Sequence, residues 1–163
     1  MAKDHVGGIL EQWRQVRPDL EAGPMGVVGR LSRLARDVDG KLDRNFARFG
    51  LDRVAFDLLA ALRRQGEPYT LSPKALQLEM MISSGSTTYR IDQLEGRGLL
   101  TRRPDPDDRR GTRVRLTPEG LTLIDEAVAS HVALEAEYLG SLSDAQRREL
   151  EVLLRALTEA HGL

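Results

Sequence analysis

Cysteine is absent from this 163-residue sequence. A disulfide framework, a thiolate metal site and a cysteine-based redox switch are therefore excluded. Methionine oxidation at Met80 or Met81 is the remote redox alternative that remains. The histidines His5, His131 and His161 lie far apart in the sequence, without the spacing that brings two ligands onto one metal ion. We therefore expect neither a metal site nor a metal cofactor.

Long apolar runs and catalytic motifs are also missing. No segment approaches the roughly 20 consecutive apolar residues of a membrane-spanning helix, and the first residues lack the basic-then-apolar order of a signal peptide. We therefore expect a cytoplasmic protein without a membrane partner. The sequence has no phosphate-binding glycine loop, no nucleophile elbow and no paired histidines, so an enzyme is not expected.

The charge is unevenly distributed although the net charge is only −1. Arginines outnumber aspartates between Arg102 and Arg115, whereas acidic residues predominate after Thr117. A short basic segment in an otherwise acidic chain indicates a local contact with a polyanion. An architectural DNA-binding protein is a weaker alternative, because such proteins are usually basic overall.

Apolar spacing predicts mainly helical structure with one β-hairpin. Ser72 followed by Pro73 predicts a helix start, and a turn at 82–85 leads to a second short helix that ends before Gly98. This is the arrangement of a helix-turn-helix, whose second helix enters the major groove of DNA. The hairpin strands would form a wing. The predicted helices cover 4–17, 25–49, 52–65, 73–80, 86–97, 118–138 and 143–161, and the strands cover 99–103 and 112–116.

The predicted fold class is mainly α with a small β wing, a winged helix-turn-helix with an additional N-terminal helix. Residues 1–50 would form N-terminal helices for ligand binding and dimerisation. Residues 51–116 would form the DNA-binding lobe, and residues 117–163 would form C-terminal dimerisation helices. The apolar stripes of the last helices need a covering surface, which a second copy of the chain would supply.

The run SGSTTYRIDQLEGRGLLTRRPDPDDRRGTRVRLTPEG, from Ser84 to Gly120, closely resembles the MarR family of winged-helix regulators. The resemblance implies a homodimer that binds a pseudo-palindromic DNA site with a helix in the major groove and a wing toward the minor groove. It implies that Asp107 or Asp108 orients the arginines at the wing tip. The implied DNA-binding residues are Ser84, Ser86, Thr88 and Tyr89 on the recognition helix, with Arg109 and Arg110 on the wing.

The recognition helix also carries an inward-facing charge. Its inner face is marked by Thr87, Ile91 and Leu94, and Arg90 falls among them. A buried charge is costly unless it is paired. Asp57 and Arg64 share one side of the helix predicted at 52–65, and Arg102 lies in the first wing strand. These residues leave an excess of positive charge that an anion could neutralise.

This set of residues resembles the urate-responsive subfamily of MarR regulators, with Trp13, Asp57, Arg64, Arg90 and Arg102 at the ligand-response positions. The resemblance implies that Trp13 and Arg90 anchor a planar anion and that Asp57, repelled by the anion, passes a displacement to the recognition helix. Arg64 and Arg102 would balance charge, one of them holding Asp57 while the site is empty. The protein would be a repressor that urate or a related purine releases from its operator.

Two alternatives stay open at the ligand site. The effector could be a tricarboxylate such as citrate or trans-aconitate, because arginines select charge better than shape. The charged residues could instead form an internal salt-bridge network in a DNA-binding protein that has no ligand, with Trp13 packing the extra helix onto the core.

Overall fold

The computed structural model describes residues 4–80, 84–106 and 111–162. The chain divides into two compact units, Met1–Asp43 and Arg44–Leu163. Within the described residues, no helix combines the length and the apolar character needed to cross a membrane.

The first unit contains α1 (His5–Val16) and most of α2 (Gly23–Ala47). Asp4 caps α1 by accepting a hydrogen bond from the Gly7 amide at 2.8 Å. Both oxygens of Asp4 also accept hydrogen bonds from the Arg30 guanidinium of α2, each at 2.8 Å. The buried Val6 lies against α2 at Gly29. The predicted additional N-terminal helix is therefore present and is attached to α2 by a bidentate ion pair and an apolar contact.

In its described residues, the second unit contains five further helices and a small sheet. The mainly α architecture with a β wing confirms the predicted fold class. Each predicted helix and strand is present to within a few residues. The elements are α3 (Arg53–Arg64), β1 (Thr70–Leu71), α4 (Pro73–Met80), α5 (Ser84–Gly96), β2 (Leu100–Pro104), β3 (Thr112–Leu116), α6 (Pro118–Tyr138) and α7 (Asp144–Ala160).

Helix α3 is the centre of the second unit. Leu58, Leu59 and Leu62 are fully buried, and α3 contacts α4, α5, α6 and β3. Burial of such side chains typically stabilises a fold by about 1.5–3 kcal/mol each. Asp52 caps the start of α3, where its Oδ1 atom accepts the Ala55 amide at 2.9 Å. Two residues before Asp52, Gly50 has a φ of 65°, in the left-handed conformation that glycine adopts readily.

The sheet has three antiparallel strands in the order β1-β3-β2. Strands β2 and β3 form the predicted hairpin, with Leu100 opposite Leu116 and Pro104 opposite Thr112. Strand β1 pairs with the other edge of β3 and was not predicted. A strand of two residues is too short to show the alternation of apolar and polar residues from which strands are predicted.

The start of α6 is joined to the end of the recognition helix by a close backbone contact. Thr117 caps α6 by accepting the Gly120 amide at 3.0 Å, and its hydroxyl donates to the Gly98 carbonyl at 2.7 Å. A Cβ atom at Gly120 would lie 1.9 Å from the Leu99 carbonyl oxygen, so only glycine permits this approach. The Thr-Pro-Glu-Gly segment thus fixes α6 against the turn that follows α5.

Helix α7 exposes its apolar face in the single chain. Ser143 and Gln146 form a capping box at the start of α7, yet none of the residues of α7 is buried. The exposed side chains include Leu150, Leu153, Leu154 and Leu157. This face lies open to a covering surface from outside the chain.

Candidate functional site

The recognition helix α5 has the two faces that its sequence predicts. Thr87, Ile91 and Leu94 are buried, with Thr87 only 2% exposed. Ser86, Thr88 and Tyr89 lie on the exposed side. The Tyr89 hydroxyl accepts a hydrogen bond from the Gln93 Nε2 atom at 2.6 Å, which fixes the direction of this exposed ring. The helix therefore presents hydroxyl groups outward from a firmly packed base.

The structure does not describe the side chains of the remaining predicted DNA-binding residues. Ser84 begins α5, but its side chain lies outside the described atoms. Arg109 and Arg110, together with the two aspartates expected to orient them, lie outside the described residues. Their role at the wing tip stays a prediction.

Arg90 is half-buried and forms an ion pair between two helices. Its Nη1 atom lies 2.5 Å from the Asp52 Oδ2 atom. Asp52 is also the cap of α3, so one carboxylate binds both the start of α3 and the recognition helix. The inward charge is therefore paired within the chain, with Asp52. A small cavity of about 110 Å³ at this point is lined by Asp52, Arg90 and Arg97, among others.

Two more arginines hold the recognition helix to its surroundings. The Arg102 guanidinium of β2 forms ion pairs with Asp92 and Glu95 of α5, and its backbone amide donates to Glu95 at 2.8 Å. Burial acts to lower the pKa of Arg102, but the hydrogen bonds to Asp92 and Glu95 outweigh it. Arg97, at the end of α5, donates to the Gly50 carbonyl at 2.8 Å. These ion pairs and hydrogen bonds thus hold the middle and the C-terminal half of the helix.

Asp57 and Arg64 are placed differently from Arg90. Both side chains are exposed in the chain, and Arg64 pairs with Glu79 of α4 at 3.3 Å. No ion pair or hydrogen bond to the Asp57 side chain occurs among the described residues. Loss of solvent around its carboxylate raises the pKa of Asp57, against the opposing charges of Arg53, Arg64 and His131. Asp57 is thus an exposed side chain whose carboxylate is partly desolvated and, among the described residues, has no bonded partner.

The ligand-response residues are not gathered into one cluster within the second unit. Arg64 lines a larger cavity of about 520 Å³ between α3 and α6, whereas Arg90 lines the small cavity beside Asp52. Trp13 is half-buried on α1 in the first unit, and its participation in the site stays a prediction. Within the described ranges, no three His, Asp or Glu side chains are grouped so that they could hold a metal ion.

Sequence reasoning missed the carboxylates that neutralise the arginines. Asp52, Asp92 and Glu95 are partners of predicted ligand residues, and Glu79 is a fourth. Asp52 could have been singled out from the sequence as a helix cap, because aspartate is a preferred residue directly before a helix. The pairing of Asp92 and Glu95 with Arg102 depends on how β2 packs beside α5, which spacing alone does not give.

Comparisons with known proteins agree on one family. The sequence profile of the MarR family matches residues 49–111. The HTH-type transcriptional regulator PecS of Dickeya dadantii is 42% identical over 149 residues, covering 91% of this chain and 90% of the relative.

Solved structures resemble the chain as well. BpsR of Bordetella bronchiseptica, whose structure concerns the regulation of DNA binding by 6-hydroxynicotinic acid, is 29% identical with a TM-score of 0.68, covering 81% of this chain and 92% of BpsR. Sco3205, a MarR family regulator from Streptomyces coelicolor in complex with DNA, has a TM-score of 0.74 at 24% identity, covering 86% of this chain and 89% of Sco3205. At that identity, Sco3205 supports the fold alone.

Proposed function

Because the chain belongs to the MarR family of winged-helix, DNA-binding transcriptional regulators, we propose that it is a homodimeric repressor that a small organic anion releases from a pseudo-palindromic operator. Its relatives regulate transcription and are not enzymes, in agreement with the expectation from the sequence. The proposal has three parts: the DNA contacts, the effector and the dimer.

The observation that carries the proposal is the attachment of the recognition helix by ion pairs. Arg90 and Arg102 both belong to the predicted ligand set, and both bind carboxylates that fix α5. An anion that reaches Arg90 offers the guanidinium a second partner of the same charge as Asp52. Binding therefore shifts the balance between two arrangements of the helix that reads DNA.

Urate or a related purine is the effector class that we favour. A flat conjugated anion can stack on Trp13 and accept a charge-assisted hydrogen bond from Arg90. Asp57, whose carboxylate is already partly desolvated, would be repelled by the bound anion, while Arg64 and Arg102 balance charge. BpsR gives parallel support, since 6-hydroxynicotinic acid, which regulates its DNA binding, is also a flat aromatic acid.

The DNA contacts follow the two faces of α5. The hydroxyl groups of Ser84, Ser86, Thr88 and Tyr89 would meet phosphates and base edges in the major groove. Arg109 and Arg110 would bind phosphates and the minor groove from the wing. Because α5 buries its apolar side against the lobe, its outward side is left for these contacts.

A second copy of the chain would cover the exposed face of α7. Four leucines on this helix are between 39% and 58% exposed. A helix without buried residues does not offset its ordering entropy in an isolated chain, so α7 needs a partner surface. Sedimentation velocity tests this part: we expect a dimer, and a monomer at micromolar concentration would refute it.

A ligand-independent regulator is the second candidate. It is favoured by the finding that Arg64, Arg90 and Arg102 each have a carboxylate partner within the chain. In that case the arginines have a structural role only. The two candidates differ in one respect: whether any anion changes the affinity for DNA.

Fluorescence anisotropy of labelled DNA separates these candidates. The DNA comes from the region upstream of the gene, and the complex is titrated with urate, xanthine, citrate or trans-aconitate. Release by urate or xanthine at micromolar to millimolar concentration supports the proposal, and release by citrate or trans-aconitate assigns the tricarboxylate class. Tight binding that none of them disturbs favours the ligand-independent regulator.

A further inference from the structure

The turn between α2 and α3 has a firmly held backbone. The Gly50 amide donates to the Ala47 carbonyl at 3.0 Å, and the Leu51 amide donates across the turn to the Phe46 carbonyl, also at 3.0 Å. These two hydrogen bonds, with Gly50 in the left-handed conformation, form the Schellman motif that ends many helices. Leu51 is buried, with only 4% of its surface exposed. The turn is therefore fixed by hydrogen bonds and by a buried apolar side chain.

The recognition helix is attached to this turn at two points. Arg90 pairs with Asp52, and the Arg97 Nη1 atom donates to the Gly50 carbonyl at 2.8 Å. Arg97 continues the last turn of α5, since its amide donates to the Gln93 carbonyl at 3.2 Å. The two arginines are two helical turns apart, so they lie on one face of the helix and about 10 Å apart along its axis.

The attachment at Arg97 joins α5 to the C-terminal end of α2. The carbonyl groups at the end of a helix carry partial negative charge, which stabilises a nearby cation. A Cβ atom at Gly50 would lie 3.3 Å from the Arg97 Nη2 atom, so the guanidinium lies directly against the turn. Arg97 is therefore bound to the end of α2 by charge as well as by a hydrogen bond.

Two attachments determine more than one attachment does. A helix held at one point can swing about that point, whereas a second attachment two turns away on the same fixed turn also sets the direction of its axis. Arg90 fixes the middle of α5, and Arg97 fixes its C-terminal end. The direction of the helix relative to α2 and α3 therefore depends on Arg97.

We infer that Arg97 is a positioning residue for DNA recognition, which sets the direction of α5 by binding the end of α2. It acts through α5 and not through a contact of its own with DNA. In a dimer, the directions of the two recognition helices determine which separation of half-sites fits both. The inference rests on the proposed DNA binding through α5, but it is independent of the effector class.

Arg97→Gln tests the inference, because it removes the guanidinium and leaves the Arg90–Asp52 pair in place. Fluorescence anisotropy measures its affinity for operators whose half-sites are separated by one base pair more or fewer, a change of about 3.4 Å and roughly 34°. We expect the wild type to prefer one spacing. Arg97→Gln should bind that spacing roughly tenfold more weakly, the effect of about one charge-assisted hydrogen bond, and its preference between spacings should shrink by a similar factor.

Two further variants serve as rescue and control. Arg97→Lys keeps a charged donor on a long side chain, so it should recover most of the preference for one spacing. Arg17→Gln removes an exposed arginine that pairs with Asp19 outside any helix. It should bind each operator as the wild type does, because exposed pairs contribute little.

Salt dependence separates positioning from a direct contact with phosphate. Arg97→Gln should keep the wild-type slope of log affinity against log salt concentration. A slope reduced by about 1, with an unchanged relative preference among spacings, would overturn the inference, because Arg97 would then bind phosphate itself.

The DNA-free protein supplies a test that does not require an operator. Residual dipolar couplings of the ¹⁵N-labelled full chain report the angle between α3 and α5, which should change in Arg97→Gln and not in Arg17→Gln. The inference is overturned if Arg97→Gln shows the couplings of the wild type or keeps the spacing preference that the wild type has. If the wild type itself prefers no spacing, the proposed operator recognition fails, and the couplings alone decide whether Arg97 orients α5.

Discussion

Arg90 of the recognition helix and Asp52 at the cap of α3 form an ion pair with a separation of 2.5 Å between Nη1 and Oδ2. The other oxygen of Asp52 accepts the Ala55 amide at 2.9 Å. The carboxylate therefore links the start of α3 to the helix that reads DNA. An anion that binds Arg90 must compete with Asp52, because the guanidinium already donates to this carboxylate and the cavity beside the pair is only about 110 Å³.

Replacing Asp52 with serine separates its two roles. Serine retains the helix cap but removes the charge, so the fold should keep most of its stability. With the internal competitor gone, we expect urate to bind roughly tenfold more tightly, the effect of about one charge-assisted hydrogen bond. Operator affinity should fall, because α5 loses one attachment. Isothermal titration calorimetry and anisotropy measure the two effects.

The matched control for this variant is Asp19→Ser, which breaks an exposed ion pair with Arg17 outside any helix. It should change neither affinity, since exposed pairs contribute little. If urate binds wild type and Asp52→Ser equally, Asp52 does not compete with the anion. If urate binds neither protein, the proposed effector class itself is wrong.

Asp57→Asn should stabilise the fold at neutral pH. Burial raises the pKa of Asp57 in the folded state, so the folded chain binds more protons than the unfolded chain above about pH 4. Stability is therefore lost as the pH rises through the folded pKa, and asparagine removes this loss. We expect a higher Tm for Asp57→Asn at pH 7.5 and convergence with the wild type near pH 4. Differential scanning fluorimetry across this range checks the sign.

Asp19→Asn provides the contrasting case, because the hydrogen bond from Arg17 lowers the pKa of Asp19. This variant should not gain stability at neutral pH.

The Asp57→Asn protein also tests the urate response. Operator binding should persist while the urate response is blunted, because no carboxylate is left for the anion to repel. A wild-type response would refute the repulsion mechanism.

Thr88→Ala should weaken binding to the operator by about tenfold, with little change on unrelated DNA. Thr88 is exposed on the outward face of α5, so its loss should not disturb the buried Thr87, Ile91 and Leu94. Thr122→Ala on α6, another exposed threonine, is the control. Equal operator affinity in the two variants would exclude Thr88 from the readout.

Arg110→Ala should weaken binding to all DNA sequences and reduce the slope of log affinity against log salt concentration by about 1. Ligand binding should remain intact. Arg148→Ala, an exposed arginine of α7, tests whether any lost positive charge has this effect. An unchanged slope for Arg110→Ala would remove this residue from the phosphate contacts.

The helices and the faces of the recognition helix could be predicted because local rules determine them. Thr87, Ile91 and Leu94 recur at the helical period, and the caps at Ser72, Thr117 and Ser143 follow from residues close in sequence. Gly120 shows the limit of such rules, since its need for glycine comes from the Leu99 carbonyl across a turn.

The arginine partners could not be predicted because tertiary packing selects them. Asp52 and Arg90 are 38 residues apart in sequence. The sequence placed Arg90 beside the core without identifying a carboxylate partner for it, and the structure pairs it with Asp52 at the cap of α3. Arg64 or Arg102 was expected to hold Asp57, whereas Arg64 pairs with Glu79, and Arg102 pairs with Asp92 and Glu95. Excess positive charge at the effector residues was therefore overestimated.

The most direct test of anion-controlled DNA binding is the affinity of urate for the wild-type protein with and without saturating operator DNA. Linkage requires that operator weaken urate binding by the same factor by which urate weakens operator binding. We predict a five- to hundredfold weaker urate affinity on the operator complex, about the usual range of allosteric coupling. An identical urate dissociation constant in both states would contradict the account, because the anion would then bind without affecting the recognition helix.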